Sequence, residues 1–273
     1  MSIPKIIHQT YRDQNLPSDI QEVVNTLKMN NPDWDYRFYN DTDIEHYIQK
    51  NFSSEVLEAY QSINSVYGAA RADLFRYLVL WNEGGVYLDI KSSCMHSLSE
   101  VFKDEDKFLI TQWQNDIGQN FEGAGIYKSL NALGEHQGEY QQWVLASERF
   151  SPIMKAVIDA VISNINSYTP WKYGLNSYGK NGVLMVTGPI AYTKAVYPFK
   201  YAEGVRYERY DKNLGFIYNA LPQNHTQVLR KHYARYKQAI IRRNLSLNLI
   251  YSFYILMLRV SKNILRVVRK QDL

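Results

Sequence analysis

Residues 68–93 read GAARADLFRYLVLWNEGGVYLDIKSS, and no other stretch constrains this chain as tightly. Leu74, Tyr77, Leu78 and Trp81 recur at helical spacing, which predicts a helix over 69–81. Asp73 and Arg76 stand three residues apart on it and so share a face. Gly84-Gly85 ends the helix, because glycine takes a left-handed backbone at little cost. Val86–Ile90 then reads as a short strand, with Asp89 at its end and Lys91 two residues on. Alone, an acid and a base three apart on a helix are a weak surface pair. The strand changes that reading, since ligands in open α/β sheets sit beyond the carboxyl ends of strands. Two carboxylates, a guanidinium and an ammonium around one corner suit a diphosphate and a sugar held in one pocket.

The rest of the chain supplies a scaffold for such a corner. Lys5–Gln9 is an apolar segment after Pro4 and reads as the first strand. Ile20, Val23, Val24 and Leu27 predict a helix over 18–29. Trp34–Tyr39 alternates aromatic and polar residues, as a strand does, and Thr42 with Glu45 matches a capping box opening the next helix. Phe108–Gln112 and Trp143–Ala146 are further strands, separated by the polar, glycine-containing stretch 114–140, which reads as loops over a cleft. Pro152 opens a helix carrying Ile153, Val157, Val161 and Ile165. Residues 166–181 read as a mobile loop, and Val183–Val186 is broken by Thr187-Gly188-Pro189 before a short helix. Val205–Tyr210 and Phe216–Tyr218 are late strands. Strands alternating with helices, without a repeat or linker, predict an α/β sheet.

Charge divides the chain. Residues 230–273 hold 11 Lys and Arg against one acid, Asp272, a balance of +10. The whole chain has 31 basic and 27 acidic residues, so residues 1–229 carry 20 against 26, a balance of −6. This predicts a main domain over 1–229 and a basic tail over 230–273 that meets an anionic partner. The single cysteine, Cys94, excludes an internal disulfide and a cysteine-based zinc site, and it fits a reducing compartment. The opening MSIPKIIHQT has no basic run followed by a long apolar stretch, so no signal peptide is expected. The 23 tyrosines suit half-wet surfaces, most of them at the core edge.

The run R-A-D-L-x-R-Y-x-x-L-x-x-x-G-G-V-Y-L-D at 71–89 resembles the DXD-containing sugar transferases, glycosyltransferase family 32. Ile3–Thr10 resembles that family's opening strand, and Gly182–Thr193 a downstream family segment. The resemblance implies a GT-A type nucleotide-diphospho-sugar transferase fold, a mixed, mostly parallel sheet with flanking helices, and transfer with retention. It implies nucleotide-sugar contacts from Ile7, His8, Gln9 and Thr10. It also implies donor-sugar contacts from Asp73 and Arg76, and a donor-side position for Thr187, Gly188 and Pro189. Asp89 corresponds to the first acid of the DXD motif, where it would meet the ribose or a divalent cation (Mn or Mg). Here the chain departs from the pattern, since Asp89-Ile90-Lys91 has lysine in place of the second, metal-binding acid. Either Lys91 supplies the positive charge itself and the site is metal-independent, or a metal binds through Asp89 and groups elsewhere. His232, with His225, is a candidate for the second case. Arg76 and Lys91 are the groups to stabilise a leaving diphosphate, so Asp73, Arg76, Asp89 and Lys91 form the expected catalytic set. Glu122 reads as a solvated loop residue, with acceptor orientation as the alternative.

The tail adds a second expectation. Residues 244–258, NLSLNLIYSFYILML, would reach about 22 Å as a helix, short of the roughly 30 Å hydrocarbon core. Arg259, Lys262, Arg266 and Arg269 then share one helical face, which is an interfacial pattern. Packing on the body or on another subunit is the competing reading, and nucleic acid is the weaker fit. The function expected is transfer of a sugar from a UDP- or GDP-sugar to a glycan acceptor, lipid-linked, in capsule or O-antigen synthesis, on the cytoplasmic face of a membrane. A toxin-like, protein-modifying transferase and a non-catalytic sugar-nucleotide-binding scaffold are the alternatives.

Overall fold

The computed structural model describes residues 2–134, 138–173, 177–221, 236, 238–242, 249–250, 252–258 and 260–261. In chain order they form β1 (Ile6–Thr10), α1 (Ser18–Met29), β2 (Asp35–Tyr39), α2 (Asp41–Asn51), α3 (Ser54–Ser62), α4 (Gly68–Glu83), β3 (Gly85–Leu88), β4 (Ser93–Cys94), α5 (Leu98–Val101), β5 (Phe108–Gln112), β6 (Val144–Ser147), α6 (Pro152–Asn166), α7 (Pro170–Tyr173), α8 (Gly179–Val186), α9 (Pro189–Val196), β7 (Val205–Tyr210) and β8 (Phe216–Ile217).

Six strands make one sheet in the order β2-β1-β3-β6-β5-β7, and β4 pairs with β8 apart from it. Within the six, β6 alone runs antiparallel to its neighbours. This is the mixed, mostly parallel sheet with flanking helices expected of a GT-A fold. Strand alternation divides the interior in two. Tyr87, Phe108, Ile110 and Leu145 face a core built with α4, α6 and α9. Val86, Leu88, Leu109, Val144 and Ala146 face a second core with Ile7, Leu27, Trp34, Phe102 and Phe216. Both sheet faces are covered, which is why these strands read as nearly continuous apolar runs.

The glycine pair after α4 has a geometric cause. Gly84 and Gly85 have φ of 70° and 98°. A Cβ on Gly85 would lie 2.5 Å from the Ile6 carbonyl oxygen. Glycine therefore lets the chain reverse and enter β3 directly against β1.

Several expectations need correction. The capping box of α2 is Asn40 with Asp43, two residues ahead of Thr42 and Glu45. Asn40 accepts from the Thr42 and Asp43 amides, and Asp43 accepts from the Asn40 amide, so this pair does the same work two residues earlier. Part of the loop expected over 166–181 is helical, since α7 lies in it and α8 begins at Gly179. The division at 229/230 falls outside the described residues, but the following segment 238–242 belongs to the body. Ile240 and Ile241 are fully buried in the main core, Asn64 donates to the Ile240 carbonyl and Arg242 to that of Ser62. His225, His232, Arg259, Lys262, Arg266 and Arg269 lie outside the described residues. Among those described, no helix is long and apolar enough to cross a membrane.

Candidate functional site

A cleft of about 650 Å³ opens beyond the carboxyl ends of β1, β3 and β5. Because β6 runs the other way, the residues that precede it arrive at the same edge. The Asp89 amide donates to the Trp143 carbonyl there, at 2.8 Å. Thr10, Asp73, Arg76, Asp89, Lys91 and Pro189, all expected site residues, line this cleft.

Arg76 is the centre of the corner. Its Nη2 lies 3.4 Å from Asp73 Oδ1 and 3.3 Å from Asp89 Oδ1. Its Nη1 donates to the Gln142 carbonyl at 2.5 Å, and its guanidinium stands 4.6 Å from the Tyr87 ring centre. Asp73 is likewise held within the protein. Gln142 donates to its Oδ1 at 2.7 Å and Thr187 to its Oδ2 at 2.9 Å. Burial pushes the Asp73 carboxyl up to about 6, against the pull of Arg76 and Thr187. The side chains of Asp73 and Arg76 are 3% and 7% exposed, whereas that of Asp89 is 27% exposed. The surface pair that three-residue spacing ordinarily gives is thus a buried one, and it presents Asp89 to the cleft.

Lys91 projects from the turn after β3. Its ammonium donates to the Tyr218 hydroxyl at 3.0 Å and stands 4.1 Å from that ring's centre. It is nearly buried, and it lines the same cleft as Asp89.

The remaining expected residues sit behind the cleft. Ile7 is fully buried in the second core. His8 is fully buried too, with Nε2 2.9 Å from the Gly84 carbonyl and Nδ1 3.2 Å from the Tyr39 hydroxyl. A carbonyl only accepts, so Nε2 carries the proton and Nδ1 accepts from Tyr39. Burial lowers the His8 pKa to about 4, so the ring is a neutral brace of the helix end. Gln9 donates to the Asp89 carbonyl at 3.2 Å and accepts from Tyr36, which positions Asp89 from below. Thr187 is buried against Asp73, and Gly188 caps α9, where a Cβ would lie 2.9 Å from Leu184 Cα. Glu122 lies outside the cleft and accepts from the Gly118 amide at 3.1 Å, a loop contact.

Sequence reading missed Gln142, Glu139, Trp113 and Tyr218. Gln142 links both halves of the corner, since its amide meets Asp73, its carbonyl Arg76, and its Oε1 the Tyr77 hydroxyl. Its one visible signal was its place just ahead of an apolar strand.

A hard cation takes several oxygen ligands. Asp89 is the one open carboxylate of the corner, Asp73 has both oxygens engaged, and Lys91 holds the second motif position. Among the described residues no three His, Cys, Asp or Glu side chains cluster as metal ligands do. The described residues thus offer a dication one open carboxylate, Asp89, and no cage built of protein ligands alone.

Residues 17–119, which contain the whole corner, match the family described as the glycosyltransferase sugar-binding region containing a DXD motif. That region of the chain belongs to this family. Mannosyl phosphorylinositol ceramide synthase SUR1 of Saccharomyces cerevisiae is 33% identical over 202 residues, which are 72% of this chain and 49% of that one. Inositol phosphoceramide mannosyltransferase 1 of Schizosaccharomyces pombe is 31% identical over 97 residues, 34% of this chain and 29% of that one. The initiation-specific alpha-1,6-mannosyltransferase of Candida albicans is 25% identical over 206 residues, 72% of this chain and 53% of that one. The chain therefore spans about half or less of the length of these relatives. Among solved structures, the UDP-bound glycosyltransferase domain from the YGT toxin superposes loosely. Its TM-score is 0.49 at 10% identity, over 76% of this chain and 80% of that one.

Proposed function

We propose that the protein is a glycosyltransferase that moves a hexose, with retention, from a nucleotide-diphospho-sugar to a glycan acceptor. The observation that carries this reading is the Asp73–Arg76–Asp89 assembly beside Lys91, set at the strand ends of a family-matched region. In the transfer, the bond between the anomeric carbon and the diphosphate oxygen breaks and the acceptor oxygen bonds to that carbon on the same face. The acceptor's proton passes to the departing phosphate, and front-face substitution needs no protein nucleophile. Asp89 holds the donor edge, and Gln9 and Arg76 keep Asp89 in place.

Charge builds on the leaving diphosphate, and a pre-placed cation is the largest stabilising effect available. Lys91 supplies that charge as an ammonium, in the position where the resemblance expects a metal-binding acid. The alternative is a dication bound through Asp89 and groups beyond the described residues.

The mannosyltransferase names of the relatives support a mannose-type donor, and the ceramide in two of them supports a lipid-linked acceptor. The exposed side chains of Leu249, Ile250, Phe253 and Leu256 beside a basic tail support attachment to an anionic membrane surface, at the cytoplasmic face. Capsule or O-antigen assembly is the pathway class that this combination suits.

A thermal-shift screen against UDP-, GDP-, CMP- and dTDP-sugars, with and without manganese, tests the reading. One donor class raises the melting temperature, since a ligand of the native state alone stabilises it. That donor must also be turned over. Binding without turnover favours a scaffold, and no binding by any donor sinks the proposal.

A further inference from the structure

One carboxylate in the cleft has no part in the donor corner. Glu139 lines the cleft and is only 7% exposed. Its Oε1 accepts from Trp113 Nε1 at 2.8 Å, while its Oε2 is buried without a hydrogen-bond partner. A buried carboxylate oxygen left unpaired is costly, and native proteins keep few such atoms. Burial accordingly raises its pKa to about 7, against the hydrogen bond from Trp113 and the charge of Lys180.

The group is also tightly seated. Its amide donates to the Gly125 carbonyl at 2.9 Å. A Cβ on Gly125 would lie 2.8 Å from Glu139 Cγ and 2.9 Å from Trp113 Cδ1. The loop thus closes over the side chain and fixes one oxygen on Trp113, leaving the other buried and without a partner at the cleft wall.

An aromatic wall joins this socket to the donor corner. The Trp113 ring meets the Tyr218 ring edge-on at 4.9 Å, and Tyr218 carries the Lys91 ammonium. Glu139 and Lys91 therefore mark opposite ends of one wall. A diphosphate suits the Lys91 end, where a fixed ammonium lines the cleft beside Asp89's strand end. A neutral sugar suits the other, with hydroxyls for the carboxylate and an apolar ring face for the indole.

We propose that Glu139 is an acceptor-binding residue, whose Oε2 accepts a hydrogen bond from a hydroxyl of a neutral sugar acceptor lying against Trp113. This rests on the glycosyl-transfer reading above.

The test uses the full chain and its Glu139→Gln and Glu139→Asp variants, with methyl and dodecyl α-mannopyranosides as acceptor probes. Glu139→Gln raises the acceptor KM about tenfold or more, the loss expected of a hydrogen bond to a charged group. The donor Kd, read by calorimetry, stays within about twofold. Glu139→Asp recovers part of the acceptor affinity. Thermal unfolding of both variants verifies that they fold. An unmoved acceptor KM, or a donor Kd that weakens equally, overturns the proposal. Transfer by the wild type to no glycoside also overturns it. Absence of donor binding by the wild type removes the glycosyl-transfer reading, and this assignment with it.

Discussion

The guanidinium of Arg76 lies 3.3 Å from the carboxylate of Asp89, tying the middle of α4 to the end of β3. The same group lies 3.4 Å from Asp73, so one cation holds two acids. Replacing it with a neutral side chain leaves a nearly buried carboxylate uncompensated. Arg76→Met is expected to cost about 3–5 kcal/mol, the usual result of breaking a buried pair from one side. The urea midpoint at pH 7 measures it. A change below about 0.5 kcal/mol, as for a surface site, would show that the pair carries little.

Lys91 makes a separate prediction about cations. Wild-type transfer is expected to persist in EDTA. Lys91→Ala should lower kcat/KM about 10²–10³-fold, as loss of a group stabilising transition-state charge does. Lys91→Asp restores an Asp-x-Asp pattern at 89–91, and its activity should require manganese. Full loss of wild-type activity in EDTA, restored by manganese, would refute the lysine assignment.

Glu139 makes stability depend on pH. Its folded pKa of about 7 lies above the ordinary 4.5. Between those values the folded state keeps a proton that the unfolded chain has shed, so stability falls as pH rises through this window and levels off above it. Glu139→Gln lacks that loss. Its melting temperature relative to wild type should therefore climb between pH 5 and pH 8, as read by scanning fluorimetry in about half-unit pH steps. A flat difference would mean that the carboxyl titrates normally.

Gly85→Ala should be strongly destabilising. The position has φ of 98° and puts the added methyl 2.5 Å from the Ile6 carbonyl oxygen. Backbone strain and overpacking together should cost at least about 2 kcal/mol in denaturant unfolding. A near-neutral result would mean that β1 and β3 can separate locally.

Much of the fold was legible in the residues themselves. The α1 boundaries, the strand at 108–112 and the helix opened by Pro152 follow from periodicity and end signals that act locally. Errors arose where distant partners decide. The 166–181 stretch looked like a loop by its Asn, Gly and Ser content, yet α8 begins within it and Gly182 packs against Ile240. The family resemblance implied a pocket position for His8, whereas its hydrogen bonds with Gly84 and Tyr39 turn it inward.

The sequence alone determined the corner. Three-residue spacing puts Asp73 and Arg76 on one helix face, and two glycines return the chain so that Asp89 ends the next strand. These are short-range consequences of helix pitch and backbone freedom. Tertiary structure decided the depth and the rest of the site. Strand direction is invisible in a single strand's residues, since alternation reads the same both ways. Only the antiparallel run of β6 brings Glu139 and Gln142 to the edge where Asp89 stands. Contacts from Gln142 and Thr187 then make the Asp73–Arg76 pair an interior one, and the packing of Gly125 and Trp113 leaves one buried oxygen of Glu139 without a partner.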